Sequence, residues 1–260
     1  MDRILIVEEN KALANLLSKK ISDSLDYAVD IAYSFNEAKL FLRQYQYFLT
    51  LISVSSSTPI DGGAVDYALA KGQKVIVLST NMDKDFREKT LQKNILDYVR
   101  NSGAEDIRYV IQSVQRLKKN KEHRVLLVDD SLVIRKQMQT LLQNLNFKVI
   151  AVAHGEEALG MLKTHDDFSL VITDYNMPVM DGLELTKEIR AMHDKKRLPI
   201  IVLSSDNDDS TIAQFLKKGA NDYIKKPFSK EEFSCRINNS IETLEYIKLI
   251  TDYEVKFDDL

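Results

Sequence analysis

Four strand-like runs in the second half of this chain end in residues able to do chemistry. Arg124-Val-Leu-Leu-Val is followed by Asp129 and Asp130, and Leu170-Val-Ile-Thr by Asp174. Leu198-Pro-Ile-Ile-Val-Leu ends in Ser204 and Ser205, and Asp222-Tyr-Ile-Lys in Lys226 and Pro227. Acid, acid, hydroxyl and ammonium are thus delivered to successive strand ends. A carboxylate can act as a phosphoryl acceptor. Repulsion between its oxygens and an incoming phosphoryl group is relieved by a hard divalent cation, and oxygen ligands select Mg²⁺. An ammonium supplies a point charge for an anionic oxygen. A lone Asp at a turn would be read as a cap; the three companions make that reading the poorer one.

These residues need elements to hold them. Each apolar run is too short for a helix and is bounded by turn formers, as for strands buried on both faces of a sheet. Pro178 and Asp181-Gly182 break the backbone after Asp174 before the next amphipathic segment. In open α/β sheets, ligands sit at the carboxyl edge, which is where these side chains emerge.

Residues 123 to about 245 resemble the receiver domain of bacterial two-component signalling, on the acid pair, the single acid, the Ser and the Lys-Pro. The resemblance implies a flavodoxin-like (βα)5 fold, a five-stranded parallel sheet flanked by helices. It implies phosphorylation of Asp174 by a phosphohistidine on a sensor histidine kinase or phosphotransfer protein. The implied Mg²⁺ ligands are Asp130 and Asp174 directly, Asn176 through its backbone carbonyl and Asp129 through water. Lys226 would reach a phosphoryl oxygen, Ser204 would hydrogen-bond the new group, and Tyr223 would turn inward behind it. Asn176 and Asp206 stand where such domains tune dephosphorylation.

The chain also repeats itself. Arg3-Ile-Leu-Ile-Val-Glu8-Glu9 matches Arg124-Val-Leu-Leu-Val-Asp129-Asp130, and Val75 to Ser79 matches Ile200 to Ser204. Asp97-Tyr98 answers Asp222-Tyr223. A repeat this long is a duplicated domain. Residues 1–120 are therefore expected to form a first receiver-like domain, 123–245 a second, and 246–260 a helical extension. The first copy lacks the central acid: Ser53-Val54 stands where Thr173-Asp174 stands, with Val54 set against the acceptor, and Asn101 replaces Lys226. Glu8, Glu9, Val54, Ser79 and Asn101 thus form a degenerate site, and the domain is expected to be a pseudoreceiver kept for contacts. The run Ser55 to Thr58 is a polar loop or an anion site.

Helical spacing places Leu13, Leu17 and Ile21, and likewise Ile134, Met138 and Leu142, against the cores. Ser34 and Glu37 form a capping box, and the acids of Asp206 to Ser210 suit a helix start. Gly219 closes a helix, with Asn94 as its counterpart. The basic run Gln115 to Lys121 prolongs the last helix of the first copy into a stiff junction. Phe233, Ile237, Ile241 and Leu244 continue into Ile247, Leu249 and Ile250, an apolar content that suggests a coiled lead towards an output domain or dimer partner. The closing Asp258-Asp259-Leu260 resembles the opening of diguanylate cyclase domains.

The 260 residues suffice for two domains, with 44% hydrophobic and 29% charged residues. A net charge of −3 argues against general nucleic-acid or membrane-surface affinity. No run has the length of a membrane span, and no leader is visible. The single Cys235, expected to pack on a helix, suits a reducing cytoplasm. Expected partners are the phosphodonor and a second copy, or a contact between the two copies. Two other readings remain: a scaffold built from two such folds without phosphorylation, and a metal-dependent phosphatase.

Overall fold

The computed structural model describes residues 2–54, 63–80, 84–100, 103–205 and 209–258. Two units divide the chain, Met1–Leu117 and Lys118–Leu260. The first contains β1 (Arg3–Val7), α1 (Lys11–Ser24), β2 (Ala28–Ala32), α2 (Phe35–Gln44), β3 (Leu49–Val54), α3 (Gly63–Ala70), β4 (Val75–Ser79), α4 (Lys84–Gln92), β5 (Asp97–Arg100) and most of α5 (Ala104–Asn120). The second contains β6 (Arg124–Val128), α6 (Leu132–Asn144), β7 (Lys148–Val152), α7 (Gly155–Thr164) and β8 (Phe168–Asp174). It continues with α8 (Gly182–Met192), β9 (Ile200–Ser204), α9 (Asp209–Lys217), β10 (Asp222–Lys225) and α10 (Lys230–Asp258).

Each unit has one five-stranded parallel sheet, β2-β1-β3-β4-β5 in the first and β7-β6-β8-β9-β10 in the second. In both, the first strand of the unit lies between the second and the third. This is the flavodoxin-like order, whose switch point lies between the first and third strands. The central strands are buried along their whole length, as parallel strands covered by helices on both faces must be. Leu126, Val171, Leu185, Ile200, Val202 and Phe215 make the fully buried centre of the second unit's main cluster. Each such side chain contributes roughly 1.5–3 kcal/mol of burial.

Helix starts follow their caps. Asn10 Oδ1 accepts from the Ala12 and Leu13 amides, Ser34 Oγ from Glu37, and Asp181 Oδ1 from Leu183 and Glu184. The reciprocal half of the expected capping box differs: Glu37 Oε2 accepts the Tyr33 amide, one residue before the cap. Helix α5 carries Glu105 and Asp106 in its first turn and Lys118 and Lys119 in its last, matching the helix dipole. The basic run after Gln115 does continue that helix, as far as Asn120.

Gly219 closes α9 at φ +108°, where a Cβ would strike Arg190. Asn94 does not play this part: among the described non-glycine residues only Asn146 and Val179 have positive φ. Cys235 is exposed rather than packed, because it lies two residues from both Phe233 and Ile237 and so faces away from the stripe they define. The proposed loop site Ser55 to Thr58 and the first acids of the Asp206 to Ser210 run lie outside the described residues, as do Asp259 and Leu260.

Candidate functional site

At the carboxyl edge of the second sheet, Asp129 follows β6 and is 1% exposed, while Asp174 is the last residue of β8 and 8% exposed. Lys226, just past β10, places Nζ 2.6 Å from Asp174 Oδ1 and 3.3 Å from Asp129 Oδ2. One ammonium therefore bridges two buried carboxylates from neighbouring strands. Burial pushes the Asp129 carboxyl above the usual carboxylate range, Lys226 opposes this, and the Asp174 charge adds to it. Ser204 ends β9 and is buried, its carbonyl accepting the Lys226 amide at 2.7 Å.

The backbone around Asp174 is held tightly. The Tyr175 amide donates to Leu203 O and the Gly182 amide to Tyr175 O, each at 2.8 Å. A Cβ on Gly182 would strike the Asp174 carbonyl oxygen, so only glycine lets α8 start here. Asp129 Oδ1 accepts the Ser131 amide at 2.9 Å, and Arg135 donates to the carbonyls of Asp129 and Asp130. Arg135 was not legible beforehand; its signal is a basic residue one turn into the helix that follows the acids.

Asp130 and Asn176 are exposed at the rim of this edge. Tyr223 is buried and stacks on Phe215 at 5.8 Å between centroids, and Phe215 meets Tyr175 edge-on at 4.8 Å. An aromatic row thus joins the segment after Asp174 to α9 and β10. Phe215 and Tyr175 escaped the sequence reading, being placed by tertiary packing. Asp206 lies outside the described residues.

The donor set bears on which cation could sit here. Two carboxylates share one ammonium, and Asp130 adds a further negative charge at the rim, so the edge carries excess negative charge. Among the described residues no three His, Cys, Asp or Glu side chains stand together as a ready cage. Mg²⁺ needs no such cage, since it retains several waters and takes one or two carboxylates directly.

The first unit corrects the assumed alignment of the copies. Val7 pairs with Ile52 and Leu78 with Ser53, whereas Val128 pairs with Thr173 and Leu203 with Asp174. Ser53, not Val54, therefore occupies the place of Asp174; Val54 is one position further on, buried and paired with Ser79. Ser53 Oγ is buried with no hydrogen-bond partner. Glu8 is buried and its Oε1 accepts the Asn10 amide at 2.8 Å, while Glu9 is exposed. Ser79 and Tyr98 are buried like their counterparts, and Asn101 lies outside the described residues.

Two parallel (βα)5 units, one with an acid–acid–hydroxyl–lysine edge, define a tandem receiver. Residues 125–238 match the family described as the response regulator receiver domain. The two-component response regulator ORR11 of Oryza sativa subsp. indica is 38% identical over 110 residues, 42% of this chain and 75% of that protein. The chemotaxis protein CheY homolog of Campylobacter jejuni subsp. jejuni is 35% identical over 121 residues, 46% of this chain and 93% of that protein. A crystal structure described as a two-component system response regulator/GGDEF domain protein aligns with a TM-score of 0.79 and 32% identity. It covers 94% of this chain and all of that one. The chain belongs to the response regulator receiver family.

Proposed function

We propose that the second unit is a phosphorylation-dependent switch whose acceptor is Asp174. Asp174 Oδ would attack the phosphorus of a phosphohistidine on a sensor kinase or phosphotransfer protein, forming an O–P bond as the N–P bond breaks. The observation that carries the reading is the Lys226 ammonium lying between Asp174 and Asp129. Lys226 would hold an anionic oxygen of the transferred group, since positioning and charge do most of the work in phosphoryl transfer. Asp130 and Asp174 directly, Asn176 through its backbone carbonyl and Asp129 through water would hold Mg²⁺, whose charge would offset that of the phosphoryl oxygens. Ser204 would hydrogen-bond the new group, and Tyr223 would carry the change to the face of α9, β10 and α10. Asn176 and Asp206 would set the lifetime.

With Ser53 at the acceptor position, the first unit would take no phosphoryl group and would act as a pseudoreceiver, offering a fixed face for the second unit or another chain. The GGDEF-containing relative supports a diguanylate cyclase as the output beyond Leu260. A cytoplasmic setting follows from this reading; among the described residues no helix is long and apolar enough to cross a membrane. Phosphotransfer from a labelled phosphohistidine donor, with and without Mg²⁺, tests the proposal. Transfer should require Mg²⁺ and vanish in Asp174→Asn; transfer to that variant would refute it.

A further inference from the structure

The two acids that follow β6 are held in different ways. Asp129 is buried and fixed by its own side-chain bonds, to the Ser131 amide at 2.9 Å and to Lys226 at 3.3 Å. Asp130 is exposed, and among the described residues no side chain holds its carboxylate. Its direction is therefore set by its backbone. That backbone is gripped by one guanidinium: Arg135 Nη1 donates to the Asp129 carbonyl oxygen and, at 3.2 Å, to that of Asp130. These carbonyls belong to the two planar peptide units on either side of the Asp130 Cα. Holding both fixes the bond along which the Asp130 side chain departs.

The start of α6 does not call for this arginine. Ser131 caps the helix, its Oγ accepting the Ile134 amide. Arg135 is the fourth residue of α6 and no acid stands in the first turn, so its charge runs against the helix dipole. Among the described residues its guanidinium meets no carboxylate and donates to these two carbonyls alone.

The first unit shows what a helix start needs without it. Glu8 Oε1 accepts the Asn10 amide as Asp129 Oδ1 accepts that of Ser131, and Asn10 caps α1 as Ser131 caps α6. The Ala14 amide donates to Asn10 O and the Arg135 amide to Ser131 O, each at 2.9 Å, so Ala14 is the counterpart of Arg135. The copy with Ser53 in the acceptor's place keeps the cap and the acid–amide bond but has no guanidinium on its acid turn. The arginine goes with the acceptor carboxylate.

We propose that Arg135 is a positioning residue for the divalent cation: it locks the acid turn and so presents the Asp130 carboxylate to the ion. This rests on the reading of the edge as a Mg²⁺ site. Mg²⁺ demands near-ideal octahedral geometry and takes few protein ligands, so misdirecting one of them is felt strongly. Groups that orient a ligand without touching the metal typically carry about 10–100-fold in metal affinity. The positive charge of Arg135, acting alone, would instead repel the ion. Positioning and charge therefore predict opposite signs when the side chain is removed.

Calorimetric titration of the full chain with Mg²⁺, with no phosphodonor present, reads that sign. Arg135→Met should bind Mg²⁺ about tenfold more weakly than the parent, with amide exchange on β6 and β8 unchanged. Arg135→Lys keeps the charge and one donor but not the fork, and should recover part of the loss. In an Asp130→Asn background, Arg135→Met should have little further effect, because no carboxylate is left to direct. Equal or tighter binding in Arg135→Met, or the same loss in both backgrounds, would overturn the positioning role. So would a loss accompanied by faster exchange throughout β6 and β8, which would mark a general structural defect. A parent that binds no Mg²⁺ would instead refute the reading of the site, and this proposal with it.

Discussion

Replacing Lys226 by Met keeps the aliphatic stem and removes the ammonium between Asp129 and Asp174. Lys226 and Asp174 have side-chain exposures of 16% and 12%, and that of Asp129 is 1%, so solvent can screen little of what is left. Stripping one partner from a buried pair costs about 3–5 kcal/mol, and the slight exposure here favours the lower end, about 3 kcal/mol. Asp129 offers an escape. Its folded pKa already lies above the unfolded value through burial, and losing Lys226 removes the main opposing influence. A carboxyl raised in the folded state favours folding while it is protonated, and that contribution is lost as pH rises through the folded pKa. The deficit should therefore be largest at about pH 8 and shrink towards about pH 5. Mg²⁺ should restore more stability to Lys226→Met than to the parent, because the variant has more uncompensated charge. Since two domains need not unfold together, amide hydrogen exchange on β6 and β8 is the appropriate local assay, with and without Mg²⁺. Equal deficits at both pH values, or no deficit at all, would refute this account of the lysine.

Other substitutions probe the frame. Thr50 is fully buried in β3 with an unpartnered hydroxyl, and pairing registers place it where Val171 stands in the second unit. Thr50→Val should stabilise the first unit by about 1–2 kcal/mol in thermal or urea unfolding. Val179, a β-branched residue at φ 72° and 90% exposed, should be relieved by Asn, which tolerates that conformation. Val179→Asn should raise stability by about 1 kcal/mol, read as a higher urea midpoint for the second unit. Gly182→Ala would push a methyl into the Asp174 carbonyl, so it should destabilise by about 2 kcal/mol or more and slow phosphorylation measured with acetyl phosphate.

Much of this was legible in the chain because parallel strands buried on both faces read as plain apolar runs, and their carboxyl ends fall where the runs stop. Asp129, Asp174, Ser204 and Lys226 were found that way. The register of β3 was not, because Ser53 and Val54 are both compatible with a strand end and only the pairing of Val7 with Ile52 separates them. The contrast between Gly219 and Asn94 was invisible for a similar reason: residue type permits a left-handed turn without requiring it. Arg135, Phe215 and Tyr175 belong to the site through contacts made across elements, which no local spacing encodes. Cys235 was misplaced by residue type, although its phase against Phe233 and Ile237 would have put it outside.

The central claim is that one carboxylate, Asp174, carries the signal and the first unit carries none. Intact-mass measurement of the chain after incubation with acetyl phosphate and Mg²⁺, followed by peptide mapping, tests it most directly. The account predicts a single added phosphoryl group, located on Asp174 and absent from Asp174→Asn. A second phosphoryl group in the first unit, or one that persists in the Asn variant, would contradict it.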